Sequence, residues 1–516
     1  MSGKVVFYRP NTIDKPAMTY YAPLGLMALG AYLREYGYEP IIVDYQSNKD
    51  PIKRLIDESR DAVFIGITSM TGHQIIEGLK AAKAIRDAGI KKPLVWGGWH
   101  PSLFPKQTAR HPLVDVVVKG FGEQTSIELL EAFKNDGDLS GIKGIAFKTP
   151  SGNVVENPDR PLPEDFDRFP MLGYDLIDVN DYNHLPINYS LYDPYEMPME
   201  RMLEGLNPPY KIISYFTSYG CVHNCGFCSV SGLFHGKWFG YSADRVVEDI
   251  TNLNHRYGIN LISLEDSNFF VNLGRVRRIA EGLIKSGIKI RWLANLQAAT
   301  GLRISDDLWQ LLKKAGLFGV YVGTESGSQK VLDIIGKGYD VKYNELLADK
   351  LERNKIYGTF SYIIGIPGER KTDKYETIKQ IKRIAEKTKH IKCVFSLYTP
   401  YPATPLYPLA KYDGFTEPSD FEGWAKFETQ TQNTGRVSIK EYHRILILSS
   451  IFFLRYGSGL LSIPKLFFYG FLKMMGSLRL KLKTTFMPFE LIVLKSLYYG
   501  LLNRLAFFVK GRTPLL

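Results

Sequence analysis

Short apolar runs alternate with longer helical segments at the start of the chain. The runs fall at 4–8, 41–44, 62–68, 93–96 and 114–118 and read as buried strands. Between them, 23–33 reads as a helix ended by Gly37, and further helices are predicted over 72–88 and 124–134. Strands alternating with helices imply parallel βαβ units in a doubly wound, Rossmann-like α/β sheet. The pattern then lapses. Residues 142–147 and 152–156 suggest a hairpin, Pro158, Pro161, Pro163 and Pro170 break regular structure, and 174–210 is rich in Asp, Asn, Tyr and Pro without a period. This stretch is expected to connect two domains and to cap the site between them. From 211 the alternation resumes, with apolar runs at 212–219, 261–264, 288–293, 319–323, 359–365 and 390–397, each followed by polar residues. Six βα units predict a partial parallel barrel, (β/α)6, with a polar rim at the carboxyl ends of its strands. From Ser438 the chain reads as amphipathic helices. The expected organisation is therefore 1–140, a connector over 141–210, a barrel over 211–437 and a helical region over 438–516.

Composition adds three constraints. A chain of 516 residues with 45% hydrophobic content is long enough for two or three domains with ordinary cores. Four cysteines, three of them clustered, argue against a disulfide framework and for a reducing compartment. The amino-terminal stretch MSGKVVFYRP has no apolar core or cleavage site, which predicts no secretory signal and a cytoplasmic location. Charge is uneven: from Glu441 onward eleven Lys and Arg face two acids, so a surplus of nine out of the net +12 sits in the tail. That tail is also rich in Phe, Leu and Tyr, and no apolar run in it reaches the ~20 residues of a spanning helix. The pattern favours a helix lying in an anionic membrane surface over nucleic acid, with packing against the barrel as the alternative.

The candidate chemistry centres on Cys221-Val-His-Asn-Cys225-Gly-Phe-Cys228, which follows the first strand of the barrel. Spacings of three and two residues let one loop wrap a metal centre. Three cysteines are too few for a closed iron–sulfur site and would leave one iron of a four-iron cluster open. A zinc site would need a fourth ligand such as His223 or His235, and no second Cys/His hook follows. Gly220, Asn224 and Gly226 mark a loop, which fits poorly with inert core cysteines; Cys393, inside an apolar strand, reads as core. In the first domain the loops after the third, fourth and fifth strands are distinctive: Thr68-Ser69-Met-Thr71-Gly72-His73, Gly97-Gly98-Trp-His100-Pro101 and Lys119-Gly120-Phe-Gly122-Glu123. Loops at those ends form the ligand crevice of open α/β sheets.

CxxxCxxC with Phe227 before the last cysteine resembles the radical S-adenosylmethionine (SAM) signature. GGxHP with GxGE resembles the cobalamin-binding domain that precedes the barrel in one branch of that family. The resemblance implies a [4Fe-4S] cluster held by Cys221, Cys225 and Cys228, with SAM on the open iron. It implies Glu265 and Asp266 at the SAM amino group, Glu325 at its ribose, and Gly365 and Pro402 in later SAM-side motifs. It places cobalamin against Thr68, Ser69, Thr71, Gly72, His73, Gly97, Gly98, His100, Gly120, Gly122 and Glu123. The chain departs from cobalamin domains that carry DxHxxG, since Asp44-Tyr-Gln-Ser-Asn48 has no histidine. The implied activity is methylation of an unactivated carbon: one SAM methylates the cobalamin, a second gives a 5′-deoxyadenosyl radical, and the substrate radical takes the methyl group. The implied partners are a small-molecule or lipid-like substrate and an electron donor such as flavodoxin or ferredoxin. A non-methylating oxidative cyclase or ring-forming enzyme of the same branch is the alternative. RNA modification is disfavoured, because the additional cluster cysteines and β-barrel of the tRNA-modifying members are missing.

Overall fold

The computed structural model describes residues 3–12, 21–182, 202–427, 436–452 and 462–482. Two parallel sheets organise it. The first contains β1 (Lys4–Arg9), β2 (Glu39–Asp44), β3 (Phe64–Thr68), β4 (Leu94–Gly97) and β5 (Val116–Val118), in the spatial order β2-β1-β3-β4-β5. These pairs are all parallel, with Val5 beside both Pro40 and Phe64. Two antiparallel strands, β6 (Ile145–Lys148) and β7 (Val154–Glu156), extend the same sheet from β5. The hairpin expected in the connector thus belongs to the first domain, which runs past residue 140. The order reverses between β1 and β3, and a sheet of this kind opens its crevice at the carboxyl ends of its strands.

The second sheet runs β8 (Ile212–Tyr215), then β11 (Leu261–Leu264), β12 (Arg291–Gln297), β13 (Leu317–Glu325), β14 (Tyr357–Ile364) and β15 (Ile391–Leu397), all parallel. β8 and β15 are its edges, so the barrel is partial, as six βα units imply. Alternation sets its two faces. Ile262 and Leu264 are 1% and 2% exposed among the helices, whereas Ser263 and Glu265 are half-buried on the other face. Phe360 and Tyr362 alternate with Ser361 and Ile363 in the same way. The inner face therefore presents Ser263, Glu265 and Ser361 alongside Ile363. The helix Ala243–Tyr257 shows how the outer layer forms. Ser242 accepts from the Arg245 N–H at its start, Gly258 ends it at φ +68°, and Val246, Ile250 and Leu253 form its buried face.

One expectation changes here. The run 212–219 is not one strand. It breaks after Tyr215, and β9 (Ser218–Gly220) pairs instead with β10 (Trp238–Gly240) in a separate antiparallel hairpin. The break is held by Asp266, which accepts from the Thr217 N–H at 2.7 Å and from the Thr217 and Ser218 hydroxyls. The connector stretch 183–201 lies outside the described residues. Its continuation, 202–210, packs Met202, Leu203, Leu206 and Tyr210 on Leu261 and Ile212, the first residues of their strands. Residues 202–210 therefore cover the amino-terminal end of the barrel.

The tail begins by packing on the barrel. In the helix Ile439–Phe452, Ile445, Leu448 and Phe452 are buried, and the Tyr442 hydroxyl donates to the Phe395 carbonyl at 2.9 Å. The helix Ser462–Lys481 packs on it at Gly476, beside Leu448 and Phe452, and buries Leu472 and Leu480, but exposes Phe471, Met474 and Leu478, with Leu482 exposed just past its end. The apolar runs at 491–494 and 505–509 lie outside the described residues. No helix among the described residues is long and apolar enough to cross a membrane.

Candidate functional site

The cysteine loop is framed by backbone. Gly220 adopts φ +77°, and a Cβ there would stand 2.2 Å from the Lys237 carbonyl, so only glycine lets the hairpin close. The Cys221 N–H then donates to that carbonyl at 3.0 Å. Farther along, the Gly226 N–H donates to Ile335 and its carbonyl accepts from Leu406, each at 2.8 Å. The loop is thus tied to segments after β13 and β15. All three cysteines are free; Cys225 is buried and the others half-buried. Burial pushes all three thiols up, Cys228 to about 11. They would ionise only against a bound metal, which deprotonates a coordinating thiol outright. Among the described residues, no three His, Cys, Asp or Glu side chains converge on a single metal ion.

Beside the loop lies a residue that sequence reasoning missed. Lys337, between Gly336 and Gly338 at φ +67° and +70°, is 7% exposed. Its Nζ donates to Glu325 Oε1 at 2.8 Å and sits 5.8 Å from the centre of the Phe227 ring. Burial alone would lower its pKa, but Glu325, Cys225 and Tyr339 together hold it well above the usual lysine value. Glu325 ends β13 in the left-handed region at φ +60°, a conformation that costs a non-glycine residue about 1–3 kcal/mol. Gly323 makes the space: a Cβ there would lie 2.5 Å from Glu325 Oε1. Glu325 is therefore a buried ion-pair partner, neither a surface carboxylate nor a helix cap. The only local signal was a lysine flanked by two glycines.

The other barrel residues divide. Glu265 stands on the inner face, where the Ser214 hydroxyl donates to it at 3.3 Å. Asp266 is 0% exposed and spent on the β8–β9 turn, so its acceptors face the fold and not the barrel interior. Gly365, at φ +88°, donates its N–H to Glu369 Oε2 at 2.6 Å, and burial pushes Glu369 up to about 7. Pro402 is buried beside Ala403, whose carbonyl would lie 2.7 Å from a Cβ on Gly232 just past Cys228. The segments after β13 and β15 thus close on the cysteine loop.

In the first domain the three distinctive loops are stitched together. The Ser69 N–H donates to Gly97 at 2.9 Å, and the His100 N–H donates to Ser69 at 3.2 Å. Ser102 Oγ donates to the Gly98 carbonyl and accepts from the Gly120 N–H, at 2.7 and 3.0 Å. Gly98, at φ +97°, would carry a Cβ 2.7 Å from Thr68 Oγ1. Each loop holds one buried polar atom without a partner: Ser69 Oγ, His100 Nε2 and Glu123 Oε2. Buried polar groups normally find partners, so Ser69 Oγ and Glu123 Oε2 fit a site that a polar cofactor completes, whereas the His100 ring is covered by protein. Burial pushes Glu123 up to about 7, and it lines a small cleft with Phe121, Phe166 and Tyr219. His73 starts a helix and lies 3.7 Å from Glu77, one turn on. His100 is 0% exposed; its Nδ1 meets Thr71 Oγ1 at 3.0 Å, and burial lowers its pKa to about 3. No histidine precedes His73 in the chain, and Asp44 is taken by Arg9 at 2.9 Å and by the Tyr182 hydroxyl.

The cover over His100 comes from the far end of the barrel. Phe421 stacks on its ring at 5.4 Å and Trp424 approaches at 5.6 Å, while the Trp424 indole donates to Gln107 Oε1 at 2.8 Å. Gly72 abuts the carbonyl of Phe427, 2.5 Å from where its Cβ would stand. Segment 415–427 therefore straps the barrel to the first domain over its fourth-strand loop.

A family model of the Radical SAM superfamily matches residues 215–381, and one of the B12 binding domain matches 15–130. An uncharacterized methyltransferase of Pyrococcus horikoshii is 30% identical over 414 residues, which span 79% of this chain and 83% of that protein. The chain belongs to the cobalamin-dependent radical SAM enzymes. The enzyme is also 25% identical, over 78% of its length and 69% of the relative's, to an anaerobic magnesium-protoporphyrin IX monomethyl ester cyclase of Rubrivivax gelatinosus. Its fold matches the radical SAM methyltransferase TsrM of Kitasatospora setae, solved with cobalamin and a [4Fe-4S] cluster. There the TM-score is 0.61 at 19% identity, covering 81% of this chain and 80% of that one. It also matches the cobalamin-dependent SAM radical enzyme OxsB with a TM-score of 0.67 at 16% identity, covering 96% and 75%. The cofactors of the enzyme are therefore a [4Fe-4S] cluster, SAM and cobalamin.

Proposed function

We propose that the enzyme transfers a methyl group from SAM to an unactivated carbon of a small-molecule or lipid-like acceptor. The observation that carries this reading is the pairing, in one chain, of an open three-cysteine loop with a sheet whose crevice loops keep orphaned buried polar atoms at Ser69 and Glu123. When bound, the cluster with SAM supplies a radical able to break a C–H bond, and cobalamin supplies a methyl carrier. The protein's part is to hold, orient and shield them. Cys221, Cys225 and Cys228 would hold the cluster, and Lys337 would balance its charge. Glu265 would take the SAM amino group, with the Gly365 and Pro402 loops closing the rim. Thr68, Ser69, Thr71, Gly72, His73, Gly97, Gly98, His100, Gly120, Gly122 and Glu123 would form the cobalamin crevice, with His100 as a neutral wall residue.

Two partners accompany the proposal. An external electron donor such as flavodoxin or ferredoxin would reduce the cluster. The exposed stripe of Phe471, Met474, Leu478 and Leu482, with Lys481 beside it, supports peripheral contact with a membrane surface and an apolar acceptor. The test is incubation of the reduced enzyme with methyl-deuterated SAM and a small-molecule extract. Deuteromethyl transfer with S-adenosylhomocysteine and 5′-deoxyadenosine as co-products is expected. 5′-Deoxyadenosine without S-adenosylhomocysteine would overturn methyl transfer in favour of a cyclase-like oxidation, the reaction class that the cyclase relatives' names suggest.

A further inference from the structure

A cavity of about 440 Å³ opens beside the cysteine loop, and its chemistry is one-sided. His223 of that loop, Trp238 of β10, Asn268 and Asn272 after β11, and Thr300 and Arg303 after β12 line it, and no lining residue is acidic. Asn268 is 2% exposed; its Oδ1 accepts from the Phe270 N–H, but its Nδ2 has no partner. The Trp238 indole N–H is likewise buried without an acceptor. Asn272 caps the helix Leu273–Ser286 by accepting from the Arg275 N–H at 3.0 Å, so a 14-residue helix begins at the cavity wall. A helix start carries partial positive charge and free N–H groups. Arg303 is exposed at the mouth and makes no ion pair among the described residues. Orphaned donors, a helix start and a guanidinium on one acid-free wall call for an oxyanion.

We propose that this cavity is a subsite for an oxyanion on the methyl acceptor: a phosphate, phosphonate or carboxylate group. The word acceptor rests on the methyl-transfer reading; the anion binding does not. None of Glu265, Asp266, Glu325, Gly365 and Pro402 lines the cavity, which separates it from the positions implied for SAM. Because Val222 and His223 are shared with the cysteine loop, an acceptor anchored here lies next to the cluster.

The test is a calorimetric titration of inorganic phosphate into the full-length reconstituted enzyme, in the absence of turnover. Arg303→Ala and Thr300→Glu are compared with the parent after checking that each retains iron and cobalamin. The parent should bind phosphate. Each variant should bind about tenfold more weakly or worse, as expected when a charge-assisted contact is lost or a like charge is added. Saturating S-adenosylhomocysteine should leave phosphate binding unchanged. No phosphate binding by the parent, binding by the variants as tight as the parent's, or displacement of phosphate by S-adenosylhomocysteine would each overturn the proposal, the last by assigning the anion site to the SAM carboxylate. Phosphate binding is read without methyl transfer, so a failure of the methylation assay would leave this result standing, and the reverse.

Discussion

Replacing Lys337 with methionine should destabilise the enzyme by about 3–5 kcal/mol and abolish SAM cleavage. The magnitude follows from burial. The Lys337 and Glu325 side chains are 6% and 8% exposed and 2.8 Å apart, and removing one partner of such a pair strands the other as an uncompensated charge. Glu325 has no second cation to turn to among its described contacts, and its φ of +60° commits the backbone to presenting it there. The double variant Lys337→Met, Glu325→Gln removes both charges and should recover most of the lost stability, because a buried pair replaced as a unit is often neutral. It should not recover SAM cleavage, since the positive charge beside Cys225 and Phe227 is still missing. Thermal denaturation of the three proteins, with 5′-deoxyadenosine formation as the second readout, separates the two effects. A Lys337→Met protein as stable as the parent would show that the pair does not form.

Changing Cys225 to alanine should remove the cluster and reduce 5′-deoxyadenosine formation to background while leaving cobalamin bound. A cluster held by three thiolates has no spare protein ligand, and Cys225 is the most buried of the three. The crevice proposed for cobalamin is built on the other sheet, from loops tied to one another by Ser69, Gly97, Gly98, Ser102 and Gly120. Loss at one centre should therefore spare the other. Cys393→Ala is the control: that thiol is 2% exposed within β15, and its loss should leave iron and activity in place. Iron, cobalt and 5′-deoxyadenosine measured on the same preparations decide it. Full iron in Cys225→Ala would contradict the cluster assignment.

Much of this architecture was legible because it is local. Strand–helix alternation, glycines at strand ends and the cysteine spacing all act within a few residues, so β1 to β5 and the order of the barrel strands could be read directly. The failures share a different cause: partners distant in the chain. The strand expected over 212–219 breaks because Asp266, about 50 residues later, satisfies Thr217 and Ser218. The same bonds tie Asp266 to the β8–β9 turn. Lys337 looked like an ordinary loop lysine until β13 delivered Glu325 to it. The strap over His100 had a faint signal, Phe421, Trp424 and Phe427 recurring every three residues, but nothing local says that such a face will cover another domain. Burying Trp424 completely contributes on the order of 3 kcal/mol to joining the two domains. The hairpin of β6 and β7 was seen as a hairpin, yet its pairing with β5 was not, since sheet membership depends on an exposed edge elsewhere. The helix Ser462–Lys481 shows the remaining limit: its pattern was compatible with packing or with a membrane surface, and the structure shows one side packed and the other exposed to solvent.

The central claim is that one chain carries cobalamin and a [4Fe-4S] cluster together. The most direct measurement is the cobalt and iron content, with the absorption spectrum, of enzyme purified and reconstituted without oxygen. The account predicts cobalamin stoichiometric with the chain, in a form without a protein histidine on cobalt, alongside four irons per cluster. That ligation state follows from His100 being sealed beneath Phe421 and Trp424 and His73 facing Glu77. An intact cluster with no cobalamin would contradict the account and leave an enzyme of SAM radical chemistry alone.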